Sequence, residues 1–122
     1  VTGITFVPDG AHNDYTTGAW VTSDGYDVLF AGDFNSQSGA KEIRMMTDDH
    51  TDIWSKAKSL SAAKNYSGNC DGCTRNSRID YMFLSKGASR LTLKSAQIID
   101  TRNSSGTMAS DHTPMRVVYS VM

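Results

Sequence analysis

Glutamate is all but missing. Of the thirteen acidic residues in the 122-residue chain, twelve are Asp and one, Glu42, is Glu. Scattered Asp among Gly, Ser and Asn reads first as turns and caps, because a short carboxylate bonds readily to its own backbone. An excess of positive charge is missing as well: twelve Lys and Arg leave a formal net charge of −1. That balance excludes a broad basic footprint for tight, sequence-independent nucleic-acid binding. Arg75, Arg78, Lys86 and Arg90 make one modest basic stretch, read as a solvated face. No apolar run approaches the roughly 20 residues of a membrane helix, so no membrane span is expected. There is no internal repeat and no low-complexity tract. The chain opens in strand-like sequence without an initiator Met or a signal peptide, and processing or truncation is expected from that start.

Cysteine is scarce, confined to one Cys70-Asp71-Gly72-Cys73. A zinc site would want a second ligand pair, and the three His stand at unhelpful spacings. A redox motif would open a helix after a strand, whereas this pair lies among Asn, Gly and Asp. A small loop-closing disulfide or two free thiols remain. The disulfide is preferred, and it tilts the expectation toward a secreted or periplasmic origin. A redox or zinc module built on this pair is the least favoured function.

With 39% hydrophobic and 20% charged residues, the chain has the composition of one globular unit, a single domain or half-domain over 1–122. Thr2 to Val7 alternates as a strand and is stopped by Pro8-Asp9-Gly10. Ala11 to Gly25 is polar and turn-rich, with Trp20 and Val21 as apolar anchors on an expected short helix. Tyr26 to Ala31 is a near-continuous apolar run that predicts a buried central strand. Ser38 to Met46 predicts a short helix with Ile43 and Met46 on one face. Thr51 to Ala63 predicts another, with Ile53, Trp54, Ala57 and Leu60 at helical spacing and Asp52 in its first turn. Asn65 to Asn76 is a loop of turn formers. Ile79 to Leu84, Leu91 to Asp100 and Met115 to Val121 predict three strands. In the last, Met115, Val117, Tyr119 and Val121 share one side. The class is α/β or α+β, with a mixed β-sheet and flanking helices.

Five side chains could carry chemistry. Asp33 and Asn35, two residues apart at the end of the central strand, can present an oxygen pair to a hard cation or a phosphate. Asp80 lies between Ile79 and Tyr81 in an apolar strand, where a carboxylate costs several kcal/mol unless it is paired. It is either a structural acid satisfied by backbone amides or Arg78, or an acid that orients an imidazole. His112, beside Asp111 and two residues before Pro114, is the natural recipient. Asp111 would point elsewhere and could bind metal. His12 and His50, in polar loops, are read as surface residues.

Gly32-Asp33-Phe34-Asn35, Ser77-Arg78-Ile79-Asp80-Tyr81 and Ser110-Asp111-His112-Thr113-Pro114 together resemble, in type, order and separation, three C-terminal signatures of the endonuclease/exonuclease/phosphatase (DNase I-like) superfamily. The resemblance covers roughly Tyr26 to Met122, the C-terminal half of that fold. It implies half of a four-layered α/β sandwich, in which two mixed sheets lie face to face with helices outside. It also implies divalent-metal-dependent phosphoesterase activity on a phosphodiester or phosphomonoester, with nucleic acid among the candidate substrates. Asp33 would orient the attacking water, and Asn35 would fix that water or the phosphate. Asp80 would hold the tautomer of His112, and His112 would bond the scissile phosphate or shuttle a proton. Asp111 would join Asp33 in holding Mg²⁺, or Mn²⁺ or Ca²⁺ in its place.

Two departures weaken that expectation. The superfamily holds its principal Mg²⁺ with an Asn and a Glu from its first half, and here the one Glu, Glu42, follows Asp33 on a predicted helix. Thr5 stands where the family carries a His in a Thr-His-Leu-like context. Little or no activity is therefore expected from this chain alone. Half a sandwich would also leave one sheet face wet, at about 1.5–3 kcal/mol per large apolar side chain. A homodimer or a complementing N-terminal fragment is expected to cover it. The alternative function is a non-catalytic remnant that folds by pairing and acts as a binding module.

Overall fold

The computed structural model describes residues 27–122, together with the backbone of two strands ahead of them, Ile4–Pro8 (β1) and Gly18–Thr22 (β2). The remaining elements are β3 (Val28–Asp33), α1 (Lys41–Thr47), β4 (His50–Asp52), α2 (Ile53–Ser59) and β5 (Ala63–Lys64), then β6 (Asp80–Ser85), β7 (Leu91–Ile98) and β8 (Met115–Val121). The class is α+β. The strands make two open sheets instead of one mixed sheet. Five strands run in the order β1-β2-β3-β6-β4, with every neighbouring pair antiparallel. Three more run in the order β5-β7-β8, where only the short β5 pairs in parallel.

β3 overlaps the predicted central strand and lies between β2 and β6, but it runs Val28–Asp33 and its residues are half-buried instead of fully buried. Its period of two sends alternate side chains to opposite faces of the sheet. On one face Phe30 and Phe34 join Tyr81 and Phe83 of β6 and Ile43 and Met46 of α1. The rings of Tyr81 and Phe83 are stacked with centroids 5.5 Å apart, and Phe34 meets both edge-on. On the other face Leu29, Met82 and Leu84 share one core with α2 and with Leu91, Leu93, Ala96 and Ile98 of β7. Tyr119 of β8 closes that core and donates its hydroxyl proton to Met82 Sδ at 3.2 Å. Over β3 and β6, then, both faces are covered from within the described residues: one by α1, the other by α2 and the second sheet. The cover is partial, since every residue of β3 is only half-buried.

Several sequence expectations need correction. The short helix around Trp20 and Val21 is instead strand β2, which finds backbone partners in both β1 and β3. The rest of 9–17 and 23–26 lies outside the described residues, His12 included. Thr51 and Asp52, assigned to a helix, belong to β4 on the edge of β6. α2 therefore starts at Ile53 and stops before Leu60, which caps it and is half exposed. Ser61 follows at φ 55° and turns the chain into β5. Val121 is also exposed, although it pairs with Leu91 at the end of β8. A register shift between Leu93 and Ser95 resets the alternation of β7, so that Leu91, Leu93, Ala96 and Ile98 can all face inward.

Arg78 does not lie on a solvated face. It is buried, its guanidinium stands 4.7 Å over the Tyr81 ring, and two N–H groups reach both oxygens of Asp52, one at 2.7 Å. His50 is no free surface residue either. Its side chain is 15% exposed, rests edge-on against Phe30 and lies 2.6 Å from Asp49.

Cys70 and Cys73 are joined in a disulfide, as the sequence favoured, with Cα atoms 5.3 Å apart. The small ring packs on Trp54, whose indole N–H donates to Asp71 at 3.0 Å. No helix among the described residues is long and apolar enough to cross a membrane.

Candidate active site

Antiparallel register brings two of the predicted acids together. β3 ends at Asp33 and β6 begins at Asp80, and the two are paired cross-strand neighbours. They share a face with Leu29, Ala31, Met82 and Leu84, so both carboxylates stand at the open end of the space between the two sheets. Two like charges so close oppose each other, and a donor bonded to one of them relieves the repulsion. His112 supplies it. The loop from β7 to β8 carries the imidazole across, and Nδ1 lies 2.6 Å from Asp80 Oδ2. One ligand atom from each of Asp33, Asp80 and His112 falls within 4.8 Å of the others.

The bond to Asp80 pushes the His112 pKa above its ordinary value. Partial burial opposes that shift, while the negative charges of Asp80, Asp111 and Asp33 add to it. An imidazole with Nδ1 committed to a carboxylate keeps only Nε2 for a substrate. The bond also answers the question the sequence left open for Asp80. Its partner is His112, not Arg78, which is occupied by Asp52.

The remaining candidates are placed differently. Asn35 follows Asp33 at φ 49°, a left-handed conformation that Asn tolerates, and its backbone N–H donates to Asp33 Oδ1 at 2.8 Å. It is exposed and lies outside the lining of the cleft, so in this structure it shapes the turn beyond β3. Asp111 reaches the rim of the cleft, but its carboxylate is 70% exposed and lies 3.7 Å from Arg75. It is not one of the three residues that converge.

Sequence reasoning missed Thr74. This residue is buried, its hydroxyl donates to Asp80 Oδ2, and its carbonyl accepts the Thr113 N–H at 2.6 Å. Nothing in the pattern around Cys73 singles it out, because the Asp80 contact crosses an irregular loop without a period and the Thr113 contact comes from a distant loop. Ser110 was named only as part of a motif; its hydroxyl accepts the His112 backbone N–H at 3.2 Å and holds the turn.

The acids and the imidazole line a cleft of about 740 Å³, with Gly32, Thr101, Pro114 and Met115 among its walls. Its size is that of an ordinary small-molecule pocket. Hard dications take oxygen ligands, and Mg²⁺ is commonly held by one or two carboxylates with water and substrate phosphate completing its shell. Asp33 and Asp80 fit that donor set. His112 fits it less well, because imidazole is a nitrogen ligand and its Nδ1 is already committed to Asp80. No family model, curated protein or solved structure matches the chain. The superfamily resemblance therefore rests on the three sequence signatures alone.

Proposed function

We propose that this chain carries the acid–imidazole end of a divalent-cation-assisted phosphoester hydrolase, as the C-terminal half of a four-layered endonuclease/exonuclease/phosphatase-like sandwich. The observation that carries the reading is the His112–Asp80 bond facing Asp33 across the register at the mouth of the cleft. Three signatures far apart in sequence supply these groups, and hydrolysis of a phosphoester uses that combination.

Asp80 fixes His112 with Nδ1 inward and stabilises its protonated form, leaving Nε2 to hydrogen-bond a non-bridging phosphate oxygen or to protonate the departing one. Asp33 lies beside this pair and can orient a water for in-line attack. A dication held by Asp33 and the remaining oxygen of Asp80 would neutralise charge on the phosphate. Asp111 and Arg75, paired at the rim, form a polar edge past which the substrate would enter. A complementary N-terminal half, or a second copy of the chain, would supply the further oxygen ligands that a chain with Glu42 as its one Glu does not offer here.

The test is Mg²⁺- or Mn²⁺-dependent hydrolysis of bis-p-nitrophenyl phosphate by the wild-type chain, His112→Ala and Asp33→Asn. Loss of general acid–base help predicts a fall of about 10²–10⁴-fold in His112→Ala. Equal rates for wild type and variants would favour a non-catalytic binding module.

A further inference from the structure

We propose that Thr74 is the positioning residue for the Asp80–His112 pair, gripping both partners at once from the wall of the cleft, one residue beyond a disulfide-closed ring. Its catalytic consequence rests on the phosphoester reading; its contacts do not. The side-chain hydroxyl donates to Asp80 Oδ2, the same oxygen that His112 Nδ1 approaches at 2.6 Å. The main-chain carbonyl accepts from Thr113, the residue that follows the imidazole. A single residue, 1% exposed, therefore restrains the carboxylate and the backbone that delivers the ring.

The geometry matters because a carboxylate turns easily about its terminal torsion. With His112 as its one donor, either oxygen of Asp80 could meet the ring, and the ring could follow the carboxylate. A second donor fixed on Oδ2 removes that freedom and keeps the oxygen aimed at Nδ1. A buried hydroxyl needs a partner in any case. What marks positioning is that this partner is already the acceptor of the imidazole.

Thr74 is itself held firmly. It follows Cys73, whose disulfide to Cys70 closes the ring. Within that ring the Cys73 N–H donates to the Cys70 carbonyl at 3.1 Å. Asn65 Nδ2 donates to the Cys70 carbonyl and Asn69 Nδ2 to the Cys73 carbonyl, each at 2.8 Å. The ring therefore anchors Thr74 without its own side chains having to enter the cleft.

The experiment compares Thr74→Val, which keeps the shape and deletes the donor, with Thr74→Ser, which keeps the donor. The readout is the far-downfield Nδ1–H proton of His112 in ring-¹⁵N-labelled protein, assigned by its disappearance in Asp80→Asn. Loss or broadening of that resonance in Thr74→Val, and its retention in Thr74→Ser, are the expected results. Thr74→Ala makes the same comparison should the valine variant not fold. An unchanged resonance in the donor-less variant overturns the proposal, as does loss in Thr74→Ser. In parallel, hydrolysis should fall about tenfold in kcat with KM little changed in Thr74→Val, and recover in Thr74→Ser. Wild-type protein that shows the resonance pattern but whose hydrolysis is unchanged in His112→Ala would sink the phosphoester reading and leave the positioning role standing.

Discussion

Replacing Asp52 by Ala would remove one side of a buried ion pair and leave the other inside. Asp52 and Arg78 are each about 10% exposed at the side chain, and both carboxylate oxygens accept guanidinium N–H groups. The Arg78 Nε has no hydrogen-bond partner of its own, so Asp52 is the anion on which that cation depends. Breaking a buried pair from one side costs about 3–5 kcal/mol, against less than about 1 kcal/mol for an exposed pair, because the orphaned charge cannot be rehydrated. At about 3–5 °C per kcal/mol for a chain of this length, Asp52→Ala should lower Tm by roughly 10–20 °C. Urea unfolding monitored by circular dichroism should show a lower midpoint with the slope unchanged. Asp100→Ala, which breaks the exposed pair with Arg102, should leave the midpoint in place. The double variant Asp52→Leu with Arg78→Met, which replaces the pair by apolar bulk, should recover much of the loss. An Asp52→Ala protein within about 1 kcal/mol of wild type, or no worse than Asp100→Ala, would refute the reasoning.

Gly72 sits at φ +70°, and an added Cβ would fall 2.6 Å from Trp54 Nε1 in the buried indole. Gly72→Ala should therefore cost about 1–3 kcal/mol in the same urea assay, and a silent substitution would mean the ring does not rest on Trp54 as described. For His112 the folded pKa is raised, so between the ordinary value of 6.5 and the raised value the native state binds more protons than the unfolded one. The stability contributed by its bond to Asp80 is complete below pH 6.5 and fades as pH rises through the folded pKa. Wild type should accordingly lose its stability advantage over His112→Gln across that interval, and a pH-independent difference would contradict the ion-paired ring. The hydrolysis and resonance experiments on His112, Asp33 and Thr74 complete the set.

Much of the architecture was legible from local chemistry. Alternation and apolar runs identify β3, β6, β7 and β8, and helical spacing identifies α1 and α2, because side-chain period and backbone geometry are locked together. An acid inside an apolar strand, Asp80, announced a partner, and an imidazole beside Pro114 was the one best placed to be it. Elements too short to show a period escaped notice. β4 and β5 exist because a neighbouring strand offers hydrogen bonds, and β2 because strands stand on both sides of it.

Residue types and their order in this chain determined which groups could do chemistry; only the folded register decided which ones meet. Asp33 faces Asp80 because two strands pair without a slip, and a shift of one residue would have sent one carboxylate to the Phe83 face. Arg78 lies nearer to Asp80 in sequence than any other cation, yet it serves Asp52, and Thr74 reaches the site from one residue beyond a disulfide. Apart from the short span between Thr74 and Asp80, these pairings join residues far apart along the chain. They depend on distances that packing sets, which no local pattern encodes.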